Sequence, residues 1–355
     1  MSESDSIVAE TAARIFADLA DPQTINSAKD DAWKAPLWTA LEESGLTLAW
    51  VPDDLGGAGA EVSDGFEVIS VAGRYAAPVP IAETLIAGWL LAQARIASPS
   101  GMMTIAPIRP KERLAVNIDG TISGRAHGIP FARDAAHIAV LAHGVDGPVI
   151  ALVETAAVNL RDIRGIAGST LYEVIFENAR PVQAAKAPAG FAQDTLMLMG
   201  AAVRSLSTAG ALSAILDISV RYAGERVAFE RTIGKFQAVQ HNLARLAGEV
   251  AASNAAATSA ADALSNASSL ASPGIFLEVA AARIRSAEAA TEGSAIAHQV
   301  HGAIGYTKEH ILHRFTQRLL TWRDDFGNES QWAVDLGNRV AASGADQLWP
   351  LVASR

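Results

Sequence analysis

The 355-residue chain contains no cysteine. Disulfide bonds, thiolate nucleophiles and zinc–thiolate sites are therefore excluded. The chain also lacks any block rich in lysine or arginine, and its formal net charge is −10. Nucleic acids and anionic membranes are consequently not expected as partners, because both attract basic surfaces.

Signals for membrane insertion or export are absent as well. No apolar run of transmembrane length is free of charged residues. The first six residues, Met1-Ser-Glu-Ser-Asp-Ser, are acidic and lack the basic region that begins a signal peptide. We therefore expect a cytoplasmic protein.

Several common catalytic and binding motifs are incomplete. Gly57-Ala-Gly59 has no third glycine and no preceding strand, so a Rossmann site is not supported. No G-x-S-x-G motif supports an acyl hydrolase. Four histidines are close in sequence, but neither a carboxylate nor a cysteine completes a metal site, and we expect no metal. These are His298, His301, His310 and His313.

The chain divides into three compositional zones, which predict an α+β fold with helices, then strands, then a long helical bundle. The expected units are residues 1–100, 101–189 and 190–355. Alanine-rich periodic segments predict helices, and alternating segments around Asp119-Gly120 predict a hairpin and further strands. The predicted helices span residues 7–19, 31–44, 63–75, 81–97, 195–230, 236–268, 273–301, 307–325 and 329–343. The predicted strands span residues 114–118, 122–125, 137–142, 148–153 and 172–176.

The segment from Arg226 to His241 carries residues suited to a nucleotide cofactor. Arginine can fork onto a pyrophosphate through parallel hydrogen bonds. Phe229 and Phe236 offer flat faces for a ring. Gln237 and Gln240 each carry a donor and an acceptor for base or ribose edges. A helical hairpin with a solvated arginine would explain the same residues without any ligand.

A resemblance favours the cofactor. Residues 226–241 resemble the R-x-x-F-G-x-x-I-x-x-F-Q-x-x-Q-H signature of the acyl-CoA dehydrogenase family. Residues 51–59 resemble its V-P-E-E-x-G-G-x-G loop, and residues 72–80 its G-R-x-x-x-P-x-P segment. Residues 299–310 resemble its late Q-x-H/F-G-G-x-G-Y/F-T-x-E-H motif. The four motifs follow the family order, so the chain is identified as a member.

The resemblance implies a small β domain between two helical domains, FAD as cofactor and an acyl-CoA substrate. It also implies a dimer or a dimer of dimers, because family residues at these positions reach across an interface to the partner's FAD. We expect six cofactor-binding residues on this ground: Arg226, Phe229, Phe236, Gln237, Gln299 and Gly302.

The catalytic glutamate of the family is missing from its usual place. Matching Ser330-Gln331 to the family S-Q puts Gly327 where that glutamate belongs. Glu329 lies two residues later, and on a helix this turns a side chain by roughly 200°. Glu329 is thus more typical of an N-terminal helix carboxylate. It remains the nearest candidate base, with Asp325 a weaker one.

The alternative place for the base is also altered. Counting back from Arg226 without gaps puts Gly200-Ala201 at the family's E-R pair. Arg204 lies one turn later and could replace part of the charge. The two flavin-contacting motifs of the β domain are weak too: residues 103–107 stand for T-E-P, and residues 129–132 stand for W-I-T.

The family's catalytic glutamates are missing from this chain, whereas the residues that reach a partner's FAD are retained, and together these facts suggest one role. The short chain and its Pro78-Val79-Pro80 segment also resemble the small subunits of heteromeric acyl-CoA dehydrogenases from bacterial pathways for steroid side chains and dicarboxylic acids. We therefore expect a subunit that completes an FAD site in a heterotetramer but does not supply the base. Two alternatives stay open: a self-sufficient homo-oligomeric dehydrogenase that uses Glu329 or Asp325, and a non-catalytic structural homologue.

Overall fold

A computed structural model describes residues 7–164, 170–267, 269–270 and 272–353. The architecture has N-terminal helices, a central β-sheet domain and a C-terminal helical domain, which confirms the α+β class. The expected unit boundaries fall between elements, before the first strand of the sheet and before the longest helix.

Five helices form the N-terminal layer. Asp21 caps the second helix by accepting a hydrogen bond from the Thr24 amide, and Pro22 occupies its first turn. The fifth helix is buried on every side from Ile81 to Leu91, because it runs through the interior and packs on the sheet. The helices are α1 (Ile7–Leu19), α2 (Pro22–Ser27), α3 (Lys34–Glu43), α4 (Val62–Tyr75) and α5 (Ile81–Gln93).

The middle layer is one mixed eight-stranded sheet. Its strands are β1 (Met103–Ala106), β2 (Ala115–Val116), β3 (Ile122–Pro130), β4 (His137–Gly144), β5 (Gly147–Glu154), β6 (Asn159–Arg164), β7 (Thr170–Ala179) and β8 (Gln183–Lys186). The order is β6-β7-β3-β2-β4-β5-β8, and β1 pairs with β4 in parallel. The predicted hairpin at Asp119-Gly120 is confirmed, since β2 and β3 pair antiparallel with Val116 opposite Ile122.

The C-terminal layer consists of long helices around α6. After the sheet come α6 (Gln193–Glu225), the short strands β9 (Val227–Ala228) and β10 (Arg231–Thr232), α7 (Gln237–Ser265), α8 (Pro273–His301), α9 (Leu312–Trp322), α10 (Glu329–Ser343) and α11 (Leu348–Ala353). By length and composition α6 could cross a membrane, but 94% of its apolar window is buried inside the protein. It is therefore the core helix of the bundle.

Several predicted helices are longer than the observed ones, and two of them have identifiable reasons. The helix predicted over residues 195–230 ends at Glu225, because Phe229 and Glu230 adopt positive φ angles and form the tip of the β9–β10 hairpin. The helix predicted over residues 307–325 begins only at Leu312, after a tight turn over Gly302–Tyr306.

Candidate functional site

A fully buried ion cluster lies where the three layers meet. Arg204 of α6 donates through Nη2 to Glu83 Oε1 at 2.6 Å and through Nε to Asp325 Oδ2 at 2.8 Å. The three side chains are 2%, 4% and 7% exposed respectively. Glu83 comes from α5 and Asp325 from the loop between α9 and α10, so the cluster joins three separate segments.

The charges within the cluster stabilise one another. Burial by itself disfavours the charge on Arg204, but the carboxylates of Glu83 and Asp325 outweigh it, so the pKa of Arg204 is raised. Burial raises the pKa of Asp325, and the charge of Arg204 opposes that shift. Removing Arg204 would leave two buried carboxylates without a cation, and breaking a buried pair in this way commonly costs about 3–5 kcal/mol.

A second buried arginine holds the loop that carries Asp325. Arg283 of α8 donates to four backbone carbonyls of the α9–α10 connection, at 2.7–3.1 Å. Burial lowers the pKa of Arg283 to about 10. Two further bonds fix the loop: the Phe326 amide donates to the Ile108 carbonyl, and Trp332 Nε1 donates to the Phe326 carbonyl, both at 3.0 Å.

The loop presses a phenylalanine ring onto α6. Phe326 is 1% exposed and has a φ of +56°. A Cβ atom added at Gly200 would fall 2.1 Å from its ring, so the ring occupies the space that a side chain at position 200 would need. Of the two positions expected for a family base, position 200 therefore lies against the Phe326 ring, and position 327 is the next residue of the loop that carries the ring. Gly327 has a φ of +93°, a conformation that favours glycine.

The two carboxylates nearest this loop lie in different surroundings. Glu329 is in the first turn of α10, partly exposed, and its Oε1 lies 3.3 Å from Arg323 Nη2. Asn328 caps the same helix, by accepting from the Gln331 amide at 3.0 Å. Asp325 instead faces inward to Arg204 and lines an open cleft.

Two clefts flank the ion cluster. The central cleft, of about 450 Å³, lies between the N-terminal helices, the sheet and α9. Its lining includes Glu83, Pro130, Phe131, Tyr172, Arg204, Arg314, Arg318, Trp322 and Asp325. The lateral cleft, of about 590 Å³, lies between α6, α8 and α10. Its lining includes Lys111, Met197, Leu198, Phe276, Gly327, Gln331 and Trp332. Glu329 lines neither cleft.

The sheet offers few side-chain groups to a flavin ring. The Thr104 hydroxyl is buried and donates to the Pro130 carbonyl at 2.8 Å, so its hydrogen is already used. Phe131, in the segment that stands for W-I-T, has a φ of +55° and lines the central cleft. The segment that stands for T-E-P thus presents a hydroxyl that is already hydrogen-bonded, and the segment that stands for W-I-T has neither a hydroxyl nor an indole.

The six expected cofactor residues fall in two segments that the fold brings together. Arg226, Phe229, Phe236 and Gln237 lie in or beside the connection from α6 to α7. Gln299 and Gly302 lie at the end of α8. The segments meet because Tyr222 stacks on His301, with ring centroids 4.4 Å apart.

This end of the bundle presents its groups to solvent. Phe229 is 90% exposed, and its ring meets that of Phe236 edge-on at 6.2 Å. Arg226, Gln237 and Gln299 are exposed as well. Gly302 has a φ of +64°, and open space surrounds the position of a Cβ atom there. A cation, amide groups, an aromatic face and an open glycine suit an ADP moiety, which needs a phosphate partner and a ring surface.

The histidines at the end of α8 pack against other aromatic rings. His301 lies beside His310, with ring centroids 4.6 Å apart, and His298 stacks on Tyr306 at 4.1 Å. Burial lowers the pKa of His298, His301 and His310. Over the residues that the structure describes, no group of three or more histidine or carboxylate side chains could hold a metal ion.

Sequence reasoning missed the main features of the interior. It did not identify the pairing of Glu83 with Arg204 or the clamp made by Arg283. One feature of the sequence could have indicated these contacts. Arg204 and Arg283 interrupt alanine-rich helices, and a charge buried there needs a partner.

A known family model matches the C-terminal part of the chain, and a curated relative matches most of its length. The family described as "Acyl-CoA dehydrogenase, C-terminal domain" matches residues 189–327. Acyl-CoA dehydrogenase IpdE2 of Mycobacterium tuberculosis is 27% identical over 319 residues, which cover 89% of this chain and 91% of the relative.

Solved structures share the fold over nearly the full length. A structure described as a Tcur3481-Tcur3483 steroid ACAD variant superposes with a TM-score of 0.81 at 23% identity, covering 95% of this chain and 98% of the other. The ChsE4-ChsE5 complex from Mycobacterium tuberculosis gives a TM-score of 0.82 at 20% identity, covering 96% and 99%.

Proposed function

Because this chain belongs to the acyl-CoA dehydrogenase family, we propose that it is the non-basic subunit of a heteromeric acyl-CoA dehydrogenase. The enzyme is an oxidoreductase that acts on the CH–CH bond of an acyl-CoA thioester. In this proposal a second, related subunit supplies the general base, and this chain completes an FAD site at the interface between them.

The contact between Phe326 and Gly200 carries the proposal. A general base must lie within about 2.6–3.2 Å of the proton that it removes, directly or through one water. Glycine and phenylalanine have no titratable group, and the Phe326 ring fills the space that a side chain at position 200 would need. Arg283 and Trp332 hold the loop in this arrangement through backbone hydrogen bonds, so a carboxylate could not enter without rebuilding it.

The end of the helical bundle supports the cofactor part of the proposal. Arg226 would hold the FAD pyrophosphate, Phe229 and Phe236 would flank a ring, and Gln237 and Gln299 would hydrogen-bond the ADP half. FAD would supply the hydride acceptor of the reaction. The residues of this chain would bind and orient the cofactor, and none of them would move a proton.

Two relatives support a heteromeric assembly. One structure with the same fold is described as the ChsE4-ChsE5 complex, and another as a Tcur3481-Tcur3483 steroid ACAD. We propose by analogy a dimer or a dimer of dimers with a related subunit, a bulky acyl group such as a steroid side chain, and a cytoplasmic location. We further propose that residues 1–100, 101–189 and 190–355 act as the three structural units.

Asp325 favours a second candidate function. It is a cleft-lining carboxylate, and burial raises its pKa, which is the environment of a general base. A self-sufficient homo-oligomeric dehydrogenase could use it. Two arginines already hold Asp325, which argues against this role. Its carboxylate pairs with Arg204, and its backbone carbonyl accepts a hydrogen bond from Arg283.

The test is flavin retention. The chain purified alone should be pale, and the complex with its partner subunit should be yellow. In that complex Arg226→Ala should weaken FAD binding by at least about tenfold, as for a lost charged hydrogen bond. Arg221→Ala is the matched control, since Arg221 is an exposed arginine on the last turns of α6. Equal flavin content in both variants would remove this role of Arg226.

A further inference from the structure

Three aromatic side chains hold the end of α8 against its neighbours. His301, in the last turn of α8, stacks on Tyr222 of α6, with ring centroids 4.4 Å apart. His310, in the connection from α8 to α9, lies 4.6 Å from His301 and meets Tyr222 edge-on at 5.9 Å, again between ring centroids. The Tyr222 hydroxyl also donates to the His301 carbonyl at 3.4 Å. These contacts join α6, α8 and the α8–α9 connection at one point.

Hydrogen bonds indicate which nitrogen of His301 carries the proton. Nδ1 lies 2.8 Å from the Ala297 carbonyl, which can only accept, so Nδ1 donates and Nε2 has the lone pair. His301 is 4% exposed, and among the residues that the structure describes its Nε2 has no hydrogen-bond partner. A second proton would have to enter on Nε2, where none of the described groups accepts a hydrogen bond from it. The geometry therefore favours the neutral form of His301.

His310 and His298 favour the neutral form as well. His310 Nδ1 accepts from the Leu312 amide at 3.2 Å, at the beginning of α9, and a proton on Nδ1 would put two donors face to face. The Thr316 hydroxyl donates to the Leu312 carbonyl, so His298 Nε2, 3.1 Å from that hydroxyl, donates to it. His298 Nδ1 is then the bare nitrogen, and it is buried without a partner in the described part of the chain.

The surroundings of these rings do not compensate a positive charge. The titratable side chains that face His301 and His310 from α6, α8 and α9 are Tyr222, His298 and His313. The described residues place no carboxylate within ion-pair distance of these rings, and their histidine–carboxylate ion pairs all belong to His127. Lys308 and Glu309, which precede His310, are exposed.

Protonation therefore opposes this packing. Burial lowers the pKa of His298, His301 and His310, and neighbouring imidazoles add to the shift for His301 and His310. In an open arrangement the rings would be hydrated and would have the ordinary pKa of about 6.5. Because the closed arrangement has the lower pKa values, its stability is fully present above about pH 6.5 and is lost as the pH falls through those lower values.

We propose that Tyr222, His301 and His310 form a pH-sensitive latch, which holds the α8–α9 connection against α6 at neutral pH and opens when the two histidines are protonated in mildly acidic solution. Opening would separate the two segments that carry the six expected cofactor residues, and this consequence rests on the proposed function. The latch itself is measured on the chain without FAD, so its failure and that of the proposed function are distinguishable.

The experiment measures amide hydrogen exchange of the full-length chain by mass spectrometry, about one pH unit above and about one pH unit below the ordinary histidine pKa. The readout is the protection factor of peptides within residues 299–312, which corrects for the intrinsic effect of pH on exchange. Peptides from β4 and β5 are the internal reference for global unfolding.

The variants remove titration but keep the contacts. His301→Phe keeps a ring for Tyr222, and the family signature has either residue at this position. His310→Asn keeps a side-chain acceptor for the Leu312 amide. The double variant combines the two substitutions. His241→Asn is the matched control, because His241 is an exposed histidine near the start of α7.

Between the two pH values, protection of residues 299–312 should fall alike in wild type and His241→Asn, by up to about tenfold for each histidine that must stay neutral in the closed arrangement. The double variant should keep most of its protection, and the β4 and β5 peptides should change little in every protein. The proposal is overturned if wild type keeps the same protection at both pH values, if the double variant loses as much as wild type, or if the sheet peptides lose as much as residues 299–312. If the double variant does not fold, His301→Phe decides by the same comparison.

Discussion

Adding a single methyl group at Gly200 should test the contact between Gly200 and the Phe326 ring, on which the proposed role rests. The Cβ atom of Gly200→Ala would lie 2.1 Å from Cδ1 of Phe326, far inside van der Waals contact. Because Arg283 and Trp332 fix the loop, the ring cannot simply swing away. Overpacking of this kind costs about 1–3 kcal/mol, and the gain in helix propensity offsets about 1 kcal/mol of it.

A matched glycine separates the two effects. Gly248 lies inside α7, and nothing would approach its added Cβ within 4 Å. Gly248→Ala should therefore stabilise the protein by up to about 1 kcal/mol. Gly200→Ala should lie about 1–3 kcal/mol below it in the free energy of unfolding. The assay is urea denaturation followed by circular dichroism, with equal m-values as the check on two-state behaviour.

The Phe326→Ala background completes the cycle. Without the ring, Gly200→Ala should become as favourable as Gly248→Ala, although Phe326→Ala itself costs about 3–5 kcal/mol. The difference between the two backgrounds is the coupling between positions 200 and 326. If Gly200→Ala stabilises the wild-type protein as much as Gly248→Ala does, the ring does not occupy that space and the reasoning is refuted.

Two further predictions concern stability. Arg283→Met should destabilise the protein by at least about 3 kcal/mol, because four carbonyls of the α9–α10 loop lose a charged donor; a cost below about 1 kcal/mol by urea denaturation would contradict the clamp. Burial lowers the pKa of His298, His301 and His310 in the folded state, so the unfolded state binds more protons below its own pKa of about 6.5. Their stabilising effect is present above that pH and is lost as the pH falls through the folded pKa values, so the melting temperature should drop below about pH 6.5. The drop should be shallower in His301→Asn, and an equal pH profile in both proteins would show that His301 does not contribute.

Much of the fold could be predicted from the sequence, because the signals are local. The limits of α1, α8 and α10 follow from alanine-rich periodicity and from terminal residues such as Ser272-Pro273. Strands β6 and β8 were missed since their polar sequences, Asn-Leu-Arg-Asp-Ile-Arg and Gln-Ala-Ala-Lys, lack a clear alternation. They are strands because β7 pairs with β6 and β5 pairs with β8, and the sequence of a strand does not indicate which distant strand will pair with it.

Only those residues of the candidate site that belong to a family motif could be predicted from the sequence. The residues at the end of the bundle follow a family signature, and the fold brings their two segments together. The interior of the site depends on long-range pairing, which no local pattern reports. Arg204 meets partners 121 residues away in both directions, and Gly200 meets a ring that comes from a different helix connection.

The direct test of the central claim is turnover of the assembled enzyme when Glu329, the carboxylate two residues after Gly327, is neutralised. Glu329→Gln removes that charge, and Glu329 lines neither cleft and pairs with Arg323. If this chain does not supply the base, acyl-CoA oxidation by the complex should stay within a few-fold of wild type. A fall of roughly 10²–10⁴-fold, with FAD still bound and the fold intact, would show that Glu329 is the base and that the chain is a self-sufficient dehydrogenase.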